Sequence, residues 1–281
     1  MKIGCIGQGW VGRNIADNFE RRHYSVTRYA LEPEYALNRR HIKDCDIVFI
    51  AVPTPTTPEG FDYSIVEEMV SLVGEGKIAV IKSTVLPGTS KKIQDVHPNK
   101  VVLFSPEFLC ESTAVYDVSH PMFNIIGLSY DSAGHRNAAE EVMRVLPQST
   151  HNFIVKGEAA ELFKYAHNIN GYMRVVFANL FHDVADMVGA EWADVKLIMD
   201  NDPMMSPYYN SPIHKGGRGA GGHCFIKDMA AFSQLFAALK PHDTKGLAVL
   251  KAFEQKNLEL LASTGKNQDL VRGVYGDTDI H

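Results

Sequence analysis

The sequence predicts an α/β protein: a doubly wound parallel sheet, followed by a mainly helical region built on one long spine helix. Three observations carry this prediction. Short β-branched runs alternate with helical patterns through the first half of the 281 residues, a glycine-rich turn joins the first run to a helix, and strand-like runs stop near Lys156. Beyond that point apolar residues recur at three- and four-residue spacings over 158–188. The expected division is 1–155 for the sheet domain and 156–281 for the helical domain.

In chain order the strand-like runs are "KIGCI", "SVTRY", "DIVFIAV", "KIAVIKS", "VVLFS" and "FNIIG". Their short, continuous apolar character suits strands covered on both faces. In the long helix, Leu162, Phe163, Ala166, Ile169, Met173, Val176, Phe177, Leu180 and Val184 form the apolar pattern. That pattern is too long for a surface helix of a small domain, so it predicts a domain spine and a homodimer seam. A short helix over 194–199, a glycine-rich loop, a helix starting at Asp228 and a last run over 247–262 follow. The tail from Thr264 is expected to be loosely held.

Composition limits the function classes. The net charge is -5 with 45% hydrophobic and 22% charged residues and no basic run, which argues against nucleic acid and membrane surfaces as partners. No stretch reaches the ~20 apolar residues of a membrane span, and the N-terminus meets glycines where a signal peptide has its apolar core. A cytoplasmic location is therefore expected. The four cysteines are widely spaced without a C-x-x-C pair, which predicts neither disulfides nor a metal site. Cys5, Cys45 and Cys110 lie in or beside apolar runs and read as small, buried or partly buried side chains. Cys224 differs, because "GGRGAGGHCFIKD" surrounds it with glycines and charge.

The strand "KIGCI" leads directly into Gly7-Gln8-Gly9-Trp10-Val11-Gly12, a G-x-G-x-x-G opening a helix. Such glycines permit a tight turn and a close approach to a pyrophosphate, which the helix N-terminus attracts. The domain therefore reads as Rossmann-like, with Gly7, Gly9, Trp10, Val11 and Gly12 contacting a dinucleotide. The ribose-binding acid expected at the end of the second strand is replaced by Ala30, and the nearest acid is Glu32. Either Glu32 reaches the ribose and selects NAD, or Arg28 with Tyr29 tolerates the 2′-phosphate of NADP.

Five ordered motifs follow: "AVPTPT", "KSTVLPGT", "SPEFLCES", "ELFKYAHN" and "GAGGHCFIKD". Together they resemble the nucleotide-sugar dehydrogenases, the UDP-glucose and GDP-mannose dehydrogenase family, over nearly the whole chain. The resemblance implies an NAD-dependent, four-electron oxidation of a sugar primary alcohol to a carboxylate. By the same resemblance Cys224 is the nucleophile, Lys164 and Asn168 stabilise developing negative charge, and Asp228 positions a water or proton acceptor. Glu107 serves thioester hydrolysis, while Glu111 and Thr84 lie near cofactor and water. Pro53 and Thr54 line the cofactor, and Gly221, Gly222 and Lys227 meet the substrate, a nucleotide sugar or sugar phosphate.

Taken singly these residues have plainer readings. Lys164 and Asn168, four apart, are what a solvated helix face carries; Glu107 and Glu111 suit a helix start; Thr84 suits a turn cap. The sequence also departs from the family pattern. About fifteen residues replace a longer segment between the second and third strands, Cys110 stands for an arginine, and Leu180 beside Asn179 stands for an acid. "DNDPMM" lacks an expected arginine, and the glycine loop is lengthened by His214, Lys215 and Arg218, which predicts a phosphate contact across a dimer seam. The chain ends at His281, before the family's nucleotide-binding C-terminal domain. A β-hydroxyacid-type dehydrogenase and a non-catalytic dinucleotide-binding remnant are the alternatives, and a thiol nucleophile separates the first of these from the leading reading.

Overall fold

The computed structural model describes residues 1–110 and 112–277. Two compact units emerge: Met1–Thr54 with Asp62–Lys164, and Pro55–Phe61 with Tyr165–His281.

The first unit is built on seven strands: β1 (Lys2–Ile6), β2 (Ser25–Tyr29), β3 (Ile47–Ile50), β6 (Ile78–Ile81), β7 (Val101–Phe104), β8 (Phe123–Leu128) and β9 (His151–Lys156), while β4 (Thr56–Thr57) and β5 (Gly60–Phe61) belong to the second unit. Their order in the sheet is β2-β1-β3-β6-β7-β8-β9. Every neighbouring pair is parallel except β7 with β8. The sheet is therefore mostly parallel, with one antiparallel junction. β9 gave no clear strand signal because it is an edge strand with four of its six residues exposed.

Helices α1 (Trp10–Arg21), α2 (Pro33–Ala36), α3 (Ser64–Ser71), α4 (Thr89–Val96), α5 (Ala114–Ser119) and α6 (Ala133–Val145) complete this unit. Alternate residues Ile3, Cys5, Ile47, Phe49, Ile78 and Val80 share one sheet face and pack on Ile15, Ala16 and Phe19 of α1 and on Ala138, Ala139 and Val142 of α6. The intervening Ile6, Val48, Ile50, Ala79 and Ile81 are buried too, so both faces are covered. Between β2 and β3 the missing crossover is replaced by the single turn of α2 and a 3-10 segment, Leu37–Asp44.

Helix α7 (Gly157–Val188) starts in the first unit and continues as the spine of the second. The second unit adds α8 (Trp192–Asn201), the hairpin β10 (Ile213–His214) with β11 (Gly217–Arg218), α9 (His223–Leu239), α10 (Thr244–Ser263) and α11 (Gln268–Tyr275). The β4–β5 hairpin joins it through Gln234 Nε2, which donates to the Thr57 carbonyl at 3.0 Å.

Three expectations change. Helix α9 begins at His223, five residues before Asp228, so Cys224 stands in the first turn of a helix and not in a loop. The residues after Thr264 form α11, whose Val271 packs against Ile226 and Leu261. On α7 the apolar positions divide: Ile169 and Val176 are buried beside Tyr165 and Tyr172, whereas Leu162, Phe163, Phe177, Leu180 and Val184 are exposed.

Candidate functional site

The turns at the carboxyl ends of the parallel strands β1, β3, β6 and β7 carry the residues named by the first-half motifs. Ligands of open α/β sheets bind at this edge, where the strand order reverses, here on either side of β1. Gly7 has φ +87, and a Cβ there would lie 2.1 Å from the Ala51 carbonyl oxygen. A Cβ on Gly12 would lie 1.9 Å from the Gly7 oxygen, so both glycines are required by the turn itself. Around Gly9 there is open space, and no side chain caps the α1 N-terminus that it begins. An uncapped helix start with open space at Gly9 fits a pyrophosphate. Trp10 and Val11 form the first turn of α1, with the Trp10 ring 40% exposed.

Arg28 is engaged by side chains of its own unit. Its guanidinium bonds both carboxylate oxygens of Glu20, at 2.9 and 2.6 Å, Asp17 at 2.6 Å and the Gln8 side chain at 3.2 Å. These partners hold its proton more tightly than usual, the Glu20 hydrogen bond first among them. Glu32 is exposed at the start of α2.

The loops after β3 and β6 are stitched together. Val52 N–H donates to Ser83 Oγ at 2.9 Å, and Thr54 Oγ1 donates to the Thr84 carbonyl at 2.8 Å. Pro53 is exposed between them, and Thr84 is half-buried. After β7, the buried Lys164 Nζ donates to the Glu107 carbonyl at 2.6 Å, contacts its carboxylate at 3.4 Å and lies 4.9 Å from the Phe108 ring centre. Burial alone would raise the Glu107 pKa, but Lys164, the Leu109 N–H and Lys82 together hold it below the ordinary range. Glu111 lies outside the described residues.

Sequence reasoning missed two buried groups here. Lys82 opens the motif from which only Thr84 was singled out; its Nζ donates to Ser105 Oγ at 3.2 Å and the Pro106 carbonyl at 3.0 Å. Burial lowers its pKa to about 8. Glu161, one turn before Lys164 in "ELFKYAHN", accepts from the Gly88 and Ser90 N–H groups at 2.5 and 2.8 Å and so caps α4. A charged residue closing an all-apolar strand was the signal for Lys82.

In the second unit, Asn168 Nδ2 donates to Asp228 Oδ2 at 2.6 Å. Lys227 Nζ holds the other oxygen of Asp228 at 2.5 Å, so its ammonium meets this carboxylate within the fold. Asp228 is fully buried, Asn168 is 6% exposed, and Cys224, one turn earlier on α9, is exposed. Cys5 and Cys45 are buried with thiol pKa values raised by burial, while Cys110 is exposed, contrary to expectation, with its pKa lowered mainly by the Ser112 hydroxyl. Arg218 is committed within its own chain: Nε donates to Asn179 Oδ1 at 2.8 Å, and the guanidinium also pairs with Asp183. A phosphate contact across a seam, as expected for Arg218, would have to compete with these intrachain partners.

Glycines 221 and 222, expected at the substrate, have internal reasons as well. A Cβ on Gly221 would lie 2.2 Å from Lys266 Cε and 2.4 Å from Asn267 Oδ1; Gly222 has φ +88. Among the described residues no cluster of His, Cys, Asp and Glu could hold a metal, and no helix is long and apolar enough to cross a membrane.

Comparison with known proteins agrees with this layout. Residues 28–146 match the NAD binding domain, and residues 158–258 the central domain, of the UDP-glucose/GDP-mannose dehydrogenase family. The UDP-glucose 6-dehydrogenase TuaD of Bacillus subtilis is 33% identical over 208 residues, covering 69% of this chain and 43% of that protein. The GDP-mannose 6-dehydrogenase of Pseudomonas aeruginosa is 32% identical over 215 residues, covering 69% of this chain and 48% of its own length. The chain thus spans less than half the length of either relative. A UDP-glucose dehydrogenase structure from Pyrobaculum islandicum superimposes with a TM-score of 0.77 at 25% identity, covering 92% of this chain and 68% of that one. The 3-hydroxyisobutyrate dehydrogenase of Mycobacterium tuberculosis shares the fold, with a TM-score of 0.70 at 13% identity and 94% coverage of both chains. With an uncapped glycine cradle for NAD in the first unit and both domain matches in order, the chain belongs to the UDP-glucose/GDP-mannose dehydrogenase family.

Proposed function

We propose that the protein oxidises the primary alcohol of a nucleotide sugar or sugar phosphate to a carboxylate in two NAD-dependent steps, with Cys224 as the covalent nucleophile. The observation that carries this reading is the Asn168–Asp228 hydrogen bond, one helical turn from the exposed Cys224. A buried carboxylate fixed from two sides beside a thiol in the first turn of a helix is arranged for proton handling next to a nucleophile.

Bound NAD supplies a hydride acceptor for each oxidation. In the first, the alcohol carbon gives up a hydride while a water held by Asp228 takes the hydroxyl proton. Lys164 and Asn168 donate to the oxygen as negative charge develops there. Cys224 Sγ then bonds to the aldehyde carbon and its proton passes to the carbonyl oxygen. Loss of a second hydride and of that proton leaves a thioester. Water attacks the acyl carbon, Glu107 accepts its proton, the C–S bond breaks and the leaving thiolate takes that proton back from Glu107, restoring the thiol. One alcohol and one water become one carboxylate, and four electrons leave on two cofactor molecules.

The test is to measure NADH and acid formed from UDP-glucose, GDP-mannose and their sugar 1-phosphates, by parent and Cys224→Ser proteins. The parent is expected to yield two NADH per acid. The variant is expected to bind NAD normally and to form acid roughly a thousandfold or more slowly. Acid formation by Cys224→Ser at the parent rate overturns the thioester route.

A further inference from the structure

The glycine run ahead of Cys224 is shaped by the protein's own C-terminal segment. Lys266 Nζ donates to three carbonyls of the loop: His214, Gly217 at 3.2 Å and Gly219 at 2.9 Å. Asn267 Oδ1 accepts from the Gly222 N–H at 2.9 Å, the residue immediately before α9. Asn257 of α10 brackets Ala220, accepting from its N–H at 2.6 Å and donating to its carbonyl at 3.0 Å. The loop glycines are complementary to these side chains. A Cβ on Gly217 would lie 2.7 Å from Thr264 Oγ1, one on Gly219 would lie 3.0 Å from Asn257 Oδ1, and one on Gly221 would overlap Lys266 and Asn267.

Asn267 itself has φ +55, a left-handed conformation that asparagine tolerates and most residues avoid. Helix α11 starts at the next residue and is anchored by Val271, 2% exposed, against Ile226 of α9. The segment after α10 thus grips the loop at its carbonyls and at the amide that opens α9, and docks onto α9 as well. Three carbonyls converging on the ammonium of a lysine only 9% exposed cannot be replaced by water without opening the loop.

We propose that Lys266 and Asn267 are positioning residues that lock the glycine loop and hold the first turn of α9, so that the Cys224 thiol is presented in one reactive orientation. This rests on Cys224 being the nucleophile. The lock acts by fixing the amide and carbonyl directions of Gly217 to Gly222, and the thiol two residues later inherits that geometry and the field of the helix N-terminus.

The test uses the full chain with Asn267→Gly, which keeps the left-handed backbone and removes the acceptor, and with Lys266→Met and Lys266→Arg. Iodoacetamide labelling is followed at each cysteine by mass spectrometry. Exposed Cys110 serves as the reactivity reference, and buried Cys5 and Cys45 report unfolding. The rate at Cys224 relative to Cys110 is expected to fall about fivefold or more in Asn267→Gly and Lys266→Met. Lys266→Arg is expected to recover part of the loss, and NAD affinity, read by calorimetry, to stay within twofold of the parent. A Cys224 to Cys110 ratio within twofold of the parent in both Asn267→Gly and Lys266→Met overturns the proposal. So does a rise at all four cysteines together, which marks general loosening. Labelling reads the lock without turnover, so acid formation by Cys224→Ser refutes the nucleophile alone.

Discussion

Lys82 and Lys164 are both buried lysines beside Glu107, yet their environments differ. Lys164 contacts the Glu107 carboxylate, whereas Lys82 is met by a hydroxyl and a carbonyl. Lys164→Met leaves the Glu107 carboxylate buried without its nearest cation, and is expected to cost about 3 to 5 kcal/mol in urea denaturation at neutral pH. Because the folded pKa of Glu107 is depressed, its contribution is present above the unfolded value of about 4.3 and is lost as pH falls through the folded one. Glu107→Gln is expected to flatten that acid limb. Lys82 has the opposite consequence at high pH. Its folded pKa of about 8 lies below the ordinary 10.5, so the unfolded chain binds more protons between these values and stability from this residue rises across that window. Relative to Lys82→Met, the parent is expected to gain up to about 3 kcal/mol between pH 8 and 10.5, measured by denaturation at stepped pH. A difference independent of pH means that the ammonium is not desolvated.

At the scale of the element, α11 and the first turn of α9 are formed by what they dock against. Eight residues are too few to hold a helix in water, so α11 depends on Val271, Leu270 and Val274 meeting Ile226 and Leu261. Val271→Ala is expected to lower stability by about 1 to 3 kcal/mol and to increase hydrogen exchange over 213–224, since the loop and α11 share the turn at Lys266 and Asn267. Exchange unchanged in that loop would uncouple the two. α1 illustrates the reverse case: its position is set by the turn before it. Gly12→Ala forces a Cβ into the Gly7 carbonyl and is expected to weaken NAD binding at least tenfold by calorimetry while the sheet stays folded. Binding at the parent affinity would show that the turn yields.

For the whole molecule, a row of apolar side chains on α7 is left exposed. Phe177, Leu180, Phe181, Val184, Met187 and Val188 are 39% to 87% exposed, and Leu197 and Ile198 of α8 are exposed as well. On α7 these residues recur three and four apart, so one exposed helix face is apolar, as interface faces are. We propose a homodimer through the α7 spines that buries on the order of 2,000 Å² or more. Light scattering is expected to give twice the mass of 31.2 kDa, and Phe181→Glu with Val184→Glu to give the monomer. A monomeric parent rejects this assembly.

Much of this protein was legible in the residues alone. Short continuous apolar runs bounded by turn residues suit strands covered on both faces, and a strand running straight into G-x-G-x-x-G requires the turn that the glycines make possible. The sheet, the cofactor turn and the spine helix were therefore readable, as were the motifs that name Lys164, Asn168, Cys224 and Asp228. Tertiary structure decided what depends on distant partners. The antiparallel placement of β8 beside β7 depends on sheet pairing, which a strand's own residues do not encode. That Arg28 pairs with Glu20 and Asp17 was not readable from its place after the second strand. The start of α9 at His223 and the existence of α11 depend on hydrogen bonds and apolar contacts across 45 residues of chain, from Gly222 to Asn267. The glycines before Cys224 looked in the sequence like room for a ligand, and the fold fills three of those spaces with Thr264, Lys266, Asn257 and Asn267. A missing side chain shows only that something must come close, and only the folded chain identifies what does.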